Sequence, residues 1–328
     1  MEKTNAESPF VPGLISIVSP CWNSETFVHR LLDSVLDQDY PNVEMIVVND
    51  GSTDGTAGVL AGYEEKFRSR GYVLKNLYQE NAGQAAALDV GLKKFSGEFL
   101  IWTDSDDYFL VKNALSTFVD FLRKNPEIGF ACCNSAIEKA TGEIGRCAPF
   151  VEKEKTPASI FERLLMRKIF FIPGRIMVRT ETFLKAIPTR SIFTSRFGQN
   201  AQMELPIAYV SKCGFIAEEL YCYVERLTSH SHTHGRNLSY INAGEEIAQE
   251  TLKRIEMPET DRKRYEKLSR KAVSQERLGF YFFGYFRELK KMKADGVLEW
   301  RDVLRPPYLL VRRAVGYILT KIGFRRSK

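Results

Sequence analysis

No stretch of this sequence approaches the ~20 consecutive apolar residues of a bilayer-spanning helix. The opening MEKTNAESPF has no apolar core, so no secretory signal is expected. Cysteine is sparse: six in 328 residues (Cys21, Cys132, Cys133, Cys147, Cys213 and Cys222), with no C-x-x-C pair. That spacing disfavours a zinc site and predicts reduced, mostly buried thiols in a cytosolic protein. Tandem repeats and low-complexity tracts are absent. A one-signed charge is also missing from the body of the chain. The net charge is +6, but residues 301–328 hold eight Lys/Arg against one acid, a local +7, which leaves residues 1–300 at −1. A neutral body argues against a nucleic-acid partner, whereas a basic tail predicts a local anionic one.

The first 135 residues carry a clear rhythm. LISIVS (14–19) is β-branched and strand-like, and residues 25–38 show helical spacing through Phe27, Leu31 and Val35. VEMIVVN (43–49) is a near-continuous apolar run, as expected of a strand buried on both faces. The turn DGSTDGT (50–56) leads to a helix ending near Arg70. VLKNLYQ (73–79) reads as a strand, residues 82–95 as an alanine-rich helix and EFLIWT (98–103) as a fourth strand. Short links between alternating strands and helices predict an α/β fold with a mostly parallel, doubly wound sheet. Beyond residue 135 the pattern loosens. Helices are expected over 158–168 and 199–210, strands at 175–178, FIA and YCYVE, and a charged helical extension from 236.

Ligands of such sheets bind beyond the carboxyl ends of the strands. Ser19, Asp50 and Asp104 fall there. GEFLIWTDSDD (97–107) sets three aspartates within four residues, Asp104, Asp106 and Asp107. Just past a strand end, Asp104 and Asp106 can converge on one hard cation, Mg²⁺ or Mn²⁺, which removes their repulsion. Read alone, the same residues equally suit a turn with capping aspartates, and Asp107 reads as the start of the next helix. Asp50 likewise reads as a hydrogen-bond acceptor for a ribose or base, or as a cap for the helix after GSTDGT. Glu25 also has an ordinary role, as an acid in the first turn of a helix.

Taken together, SIVSPCWNSE, MIVVNDGSTDGT, NAGQAAALDVGL and GEFLIWTDSDD closely resemble the family 2 glycosyltransferases of GT-A, Rossmann-like fold. The resemblance covers residues 12–235, leaving 236–328 as a helical C-terminal extension. It implies that Ser19, Trp22, Glu25 and Asp50 hold the nucleoside of a nucleotide-sugar, with Gly83 also on the donor side. It implies that Asp104 touches ribose or sugar and metal, and that Asp106 ligates the Mn²⁺ or Mg²⁺ bridging the diphosphate. Two departures stand out: Leu88 and Asp89 replace the family's Arg-Asn, and Gln199-Asn200 stands where a Glu-Asp pair usually supplies the catalytic base. An amide is no base. Glu204, one helical turn on from Asn200, is the substitute carboxylate; otherwise it is an ordinary surface acid. The alternating histidines of SHSHTH (229–234) share one side if extended and form an apparent metal cluster, or a polar loop. The resemblance favours His230, then His232, as a further metal contact. Arg226 pairs with a diphosphate or with a nearby acid; Arg175 and Arg179 take no assigned role.

The tail has an apolar face containing Leu310, Val311, Ala314, Val315, Ile318 and Ile322, with Arg312 and Arg313 opposite. Residues 306–328 thus fit a helix lying on an anionic membrane, or one packed on the domain. The expected activity is metal-dependent, inverting transfer of a sugar from a nucleoside diphosphate to a glycan or lipid-linked acceptor, performed by a cytoplasmic enzyme at the inner membrane face. A donor-binding relative without catalysis is the alternative. A nucleotidyltransferase would need a Gly-rich, basic loop after strand one, and SPCWNSE is not one.

Overall fold

The β-branched and aromatic runs of the first hundred residues form parallel strands as expected; residues 43–50 are buried throughout, whereas residues 73–79 are half-buried or exposed. In the computed structural model, residues 10–146, 157–193, 198–226, 238–274 and 276 are described. The opening half contains β1 (Val11–Cys21), α1 (Val28–Leu36), β2 (Val43–Asp50), α2 (Thr56–Arg70), β3 (Val73–Gln79), α3 (Gln84–Leu92) and β4 (Gly97–Trp102). It continues with β5 (Tyr108–Phe109), α4 (Ala114–Lys124), β6 (Ile128–Glu138), β7 (Ile144–Arg146), α5 (Pro157–Leu165) and β8 (Ile176–Arg179). Then come α6 (Thr180–Ala186), α7 (Gln199–Val210), β9 (Lys212–Val224) and α8 (Leu238–Arg254), followed by a helical stretch over 259–274.

The sheet runs β3-β2-β1-β4-β8-β6-β9-β5, with β7 paired to β6. Strands β3, β2, β1 and β4 are parallel; β8 is antiparallel to both β4 and β6, while β9 runs parallel to β6. Chain order reverses between β1 and β4, which opens a crevice at their carboxyl ends. Side chains alternate between two cores. Ile15, Ile17, Met45, Val47, Phe99 and Ile101 face α1, α2 and α4. Val18, Ile46, Val48, Leu100 and Trp102 face α3, α5 and α7. Ala248, Leu252 and Ile255 around α8, with Tyr265, join that second core, so the described part of the expected extension packs on the sheet domain.

The looser stretch expected after 135 is instead the end of β6 and a hairpin to β7, and the segments FIA and YCYVE are one strand, β9. The apolar reading of β2 missed one residue, Glu44, which is buried inside the strand. It accepts hydrogen bonds from Ser16 Oγ, Lys75 Nζ and Ser96, at 2.5–2.9 Å. Burial alone would raise its pKa, but Lys75, Ser16 and Ser96 outweigh burial and hold it below the usual range.

Candidate active site

Four connections meet at the crevice between β1 and β4. The first follows β1. Ser19 is fully buried within the strand, its hydroxyl without a partner, and so stands one pleat short of the opening. Trp22, just past the strand, is 52% exposed. The helix begins at Val28, later than expected, and Glu25 precedes it in a turn. Glu25 is therefore no first-turn acid of α1. Its Oε2 accepts the Gly55 N–H at 3.0 Å, and its own N–H donates to Asp54 Oδ2 at 3.1 Å. Asn23 bridges the same two loops, donating its N–H to Ser52 Oγ and accepting from Thr53 N–H.

The second connection follows β2. Asp50 does not cap α2; the N–H of that helix's first residue, Thr56, is met by Asp54 Oδ1 at 3.0 Å. Asp50 does different work. Its Oδ1 accepts from Gln79 Nε2 at 2.6 Å and from the Ala82 N–H at 2.9 Å, and its Oδ2 from the Gly83 N–H at 2.9 Å. Asn81 Nδ2 closes the clasp on the Asp50 carbonyl. Gly83 has φ of +94° with open space around a would-be Cβ, so the backbone conformation, not crowding, requires glycine there. Asp50 thus organises the β3–α3 loop, and most of its acceptor capacity is spent on it.

The third connection is the acidic one after β4. Gln84, in the first turn of α3, donates from Nε2 to Asp104 Oδ1 at 2.6 Å. The sequence reading missed Gln84; its place in the first turn of a helix on the matched donor-side segment was the available signal. Burial pushes the Asp104 carboxyl up to about 7; the neighbouring Asp106 charge adds to this, while Gln84 and Arg226 oppose it. Asp107 does not begin a helix. It is fully buried, and its Oδ1 accepts the Val224 N–H at 2.8 Å, tying this segment to β9. Its Oδ2 has no partner. Burial, with the Asp106 and Asp104 charges, raises its pKa well above the carboxylate range. Asp106 is paired with Arg226, Nη2 to Oδ2 at 2.5 Å. Ser105 Oγ meets Ser24 Oγ at 3.0 Å, which joins this connection to the first.

The fourth connection precedes β8. The Gly174 N–H donates to the Trp102 carbonyl at 2.6 Å, so the segment before β8 lies beside the end of β4. Arg175 and Arg179 are structural here: Arg175 Nε donates to the Cys133 carbonyl, and Arg179 donates to the Ile128 and Leu122 carbonyls. At the start of α7, Asn200 is half-buried with its Oδ1 unpartnered. Glu204 is no surface acid: it is 6% exposed. It accepts a hydrogen bond from the Phe171 backbone, and its Oε1 has no partner. Burial pushes its pKa up to about 8, against that hydrogen bond. Asp89, where the family has an asparagine, accepts from Ser191 Oγ, the Ile192 N–H and Lys93 Nζ, clipping the 190–193 segment to α3.

His230, His232 and the basic tail 306–328 lie outside the described residues. Among the described residues no group of three or more His, Cys, Asp or Glu is arranged to hold an ion, and no helix is long and apolar enough to cross a membrane.

With this geometry in place, the comparisons with known proteins decide the family. The model for glycosyl transferase family 2 matches residues 16–187, just over half of the chain. This chain is a member of glycosyl transferase family 2. An uncharacterised glycosyltransferase of Rickettsia typhi is 32% identical over 166 residues, 49% of this chain and 48% of the relative. The putative teichuronic acid biosynthesis glycosyltransferase TuaG of Bacillus subtilis is 37% identical over 109 residues, 33% of this chain and 42% of the relative. This family 2 member therefore spans about half the length of the curated relatives it matches, or less. Its fold is that of S. aureus TarS residues 1–349 in complex with UDP-GlcNAc: the TM-score is 0.64 at 19% identity, covering 82% of this chain and 75% of that one. The GT-A, mixed α/β architecture expected from the motifs is thereby established.

Proposed function

We propose that this family 2 member transfers a sugar from a nucleoside diphosphate, a UDP-sugar, to a glycan or lipid-linked acceptor in cell-envelope polysaccharide synthesis, with inversion at the anomeric carbon. The observation that carries the reading is the Asp104–Asp107 cluster at the strand-order reversal, faced by the loop that Asp50 holds. TuaG, named for teichuronic acid biosynthesis, and the TarS complex with UDP-GlcNAc support an envelope polysaccharide and a uridine donor.

The donor set fits a hard divalent cation, Mn²⁺ or Mg²⁺. Asp104 and Asp106 offer carboxylate oxygens, and the Oδ2 of the neighbouring Asp107 has no hydrogen-bond partner. Two carboxylates completed by water and substrate phosphate are a usual site for such ions. When bound, the ion supplies Lewis-acid stabilisation of the departing nucleoside diphosphate. The chain's own residues do the rest. Gln84 orients Asp104, and Asp50 holds Gly83 against the donor side. Trp22 presents an exposed ring to the base. Asn200 orients the acceptor hydroxyl, and Glu204 takes its proton. With its pKa raised to about 8, Glu204 holds a proton over most of the neutral range and acts as a base through its ionised fraction, so turnover by this route is expected to rise as pH approaches 8. A buried carboxyl whose pKa is raised this far is a candidate functional group. His230, outside the described residues, stands in this reading as a further metal contact.

The test is release of nucleotide from a panel of UDP-sugars with Mn²⁺, with and without EDTA. Metal-dependent release, cut by about 100-fold or more in Asp106→Ala, is expected. Absence of any metal-dependent binding or hydrolysis overturns the reading. Gln199-Asn200 favours one second reading, a donor-binding relative without catalysis; binding without turnover on any acceptor would identify it.

A further inference from the structure

The cluster of three aspartates already carries a cation of the chain's own. Arg226 stands two residues beyond the end of β9. It donates to Asp106 Oδ2 twice, from Nε at 2.7 Å and from Nη2 at 2.5 Å. Its guanidinium lies over the Phe27 ring, 4.1 Å from the centroid. A fork that closes on one carboxylate oxygen and rests on an aromatic face is a charge-assisted, positioned contact. The pair is neither deep nor fully wet: the Arg226 side chain is 34% exposed and that of Asp106 15%. Desolvation at this depth is partial, so the pair can open without stranding a charge in a dry core.

Asp106 is also the carboxylate on which the divalent-cation reading depends most. A guanidinium and a divalent ion compete for it, in charge and in space. A nucleoside diphosphate changes the balance. It brings the negative charge that a metal alone lacks, and its oxygens suit a planar, forked guanidinium at least as well as one carboxylate oxygen does.

We propose that Arg226 is a displaceable internal counter-ion, which neutralises Asp106 in the donor-free protein and passes from it to the diphosphate when the metal and nucleotide arrive together. The inference rests on the metal-and-nucleotide reading above. It has a thermodynamic consequence. Metal alone must evict Arg226 without giving it a new partner, whereas metal with a nucleoside diphosphate provides one. The two ligands are therefore coupled, and each tightens the other by the same factor.

The test measures Mn²⁺ binding to the full chain by electron paramagnetic resonance of the free ion, with and without UDP. Wild type, Arg226→Gln, Arg226→Lys and Phe27→Leu are compared, with melting curves to confirm folding. In the wild type, UDP is expected to tighten Mn²⁺ binding by about tenfold or more. In Arg226→Gln, Mn²⁺ alone binds about tenfold tighter than in the wild type, and the gain from UDP shrinks. Arg226→Lys, which keeps the charge and loses the fork, falls between. Phe27→Leu, which removes the ring behind the guanidinium, shifts Mn²⁺ binding the same way by less, and carries the test if Arg226→Gln does not fold. Equal Mn²⁺ affinity in wild type and variants overturns the proposal while leaving the donor reading intact. Tighter Mn²⁺ with undiminished coupling to UDP overturns the handover. A wild type that binds no Mn²⁺ even with UDP removes the metal reading, and this inference with it.

Discussion

Glu204 and Glu44 are both buried carboxyls, and their surroundings push them in opposite directions. Glu44 is met by a lysine and two serines and stays ionised. Glu204 is met by one backbone N–H, and its pKa rises from 4.5 to about 8. The sign of the stability effect follows. Between those two values the folded state holds a proton that the unfolded chain has lost, so stability falls as pH rises through that window. Glu204→Gln cannot ionise. Its stability relative to the wild type is expected to grow by about 2–4 kcal/mol between about pH 4 and pH 9, read by thermal melts across that range. The same variant is expected to lose about 100-fold in kcat if Glu204 takes the acceptor proton. Greater alkaline stability with unchanged kcat would leave Glu204 a buried partner of Phe171 and remove it from the chemistry. Neither environment is visible locally. The partners of Glu44 lie 28 to 52 positions away, and Phe171 belongs to a segment that only the fold brings to α7.

At the scale of elements, the strand ends were legible because their signals are local. β-branched runs alternate inward and outward, and Gly, Asp and Ser mark the turns after them. The second half was harder to read. β9 pairs with β6 along its whole length and with β5 on its other edge, and its register against β6 shifts between Cys133, Asn134 and Ser135. Its polar interruption, Glu218-Glu219, looks like a break between two strands but sits at that irregularity. The segment before β8 shows what the register must accommodate. Gly174 has φ of +83°, and a Cβ there would intrude on the Tyr221 ring of β9. Gly174→Ala combines a left-handed backbone with a clash in a close-packed interior. It is expected to cost about 3 kcal/mol, measured as a drop in denaturation midpoint with unchanged slope. A midpoint within error of the wild type would mean that β8 and β9 yield more easily than their packing indicates. Because Gly174 also bonds the Trp102 carbonyl, one residue before Thr103 and two before Asp104, the variant should weaken metal-dependent release as well.

At the scale of the molecule, one sheet carries two cores, and α8 with Tyr265 closes the second. The chain beyond 276 lies outside the described residues, yet its charge makes a prediction at this scale. Removing residues 301–328 takes away +7 and leaves a body near neutrality. Flotation with vesicles rich in phosphatidylglycerol is expected to recover the full chain and not the truncated one, with binding lost as salt rises. Equal recovery of both would assign the tail to packing on the domain.

By itself the sequence determined the alternation of strands and helices in the first half, its parallel sheet and the position of Asp104 and Asp106 beyond β4. Those features rest on local pattern, whereas the reversal of strand order between β1 and β4 is a property of the folded sheet. Only the tertiary structure decided what each polar group is spent on. Asp50 and Glu25, each read as a donor contact or as an acid at a helix start, are neither cap nor first-turn acid but hold neighbouring loops through backbone N–H groups. Asp107 anchors β9, and Gln84 and Arg226 divide Asp104 and Asp106 between them. A carboxylate's partner is whatever donor folding places within about 3 Å. Here those donors come from 20 to 120 positions away, a distance over which local sequence pattern carries no information.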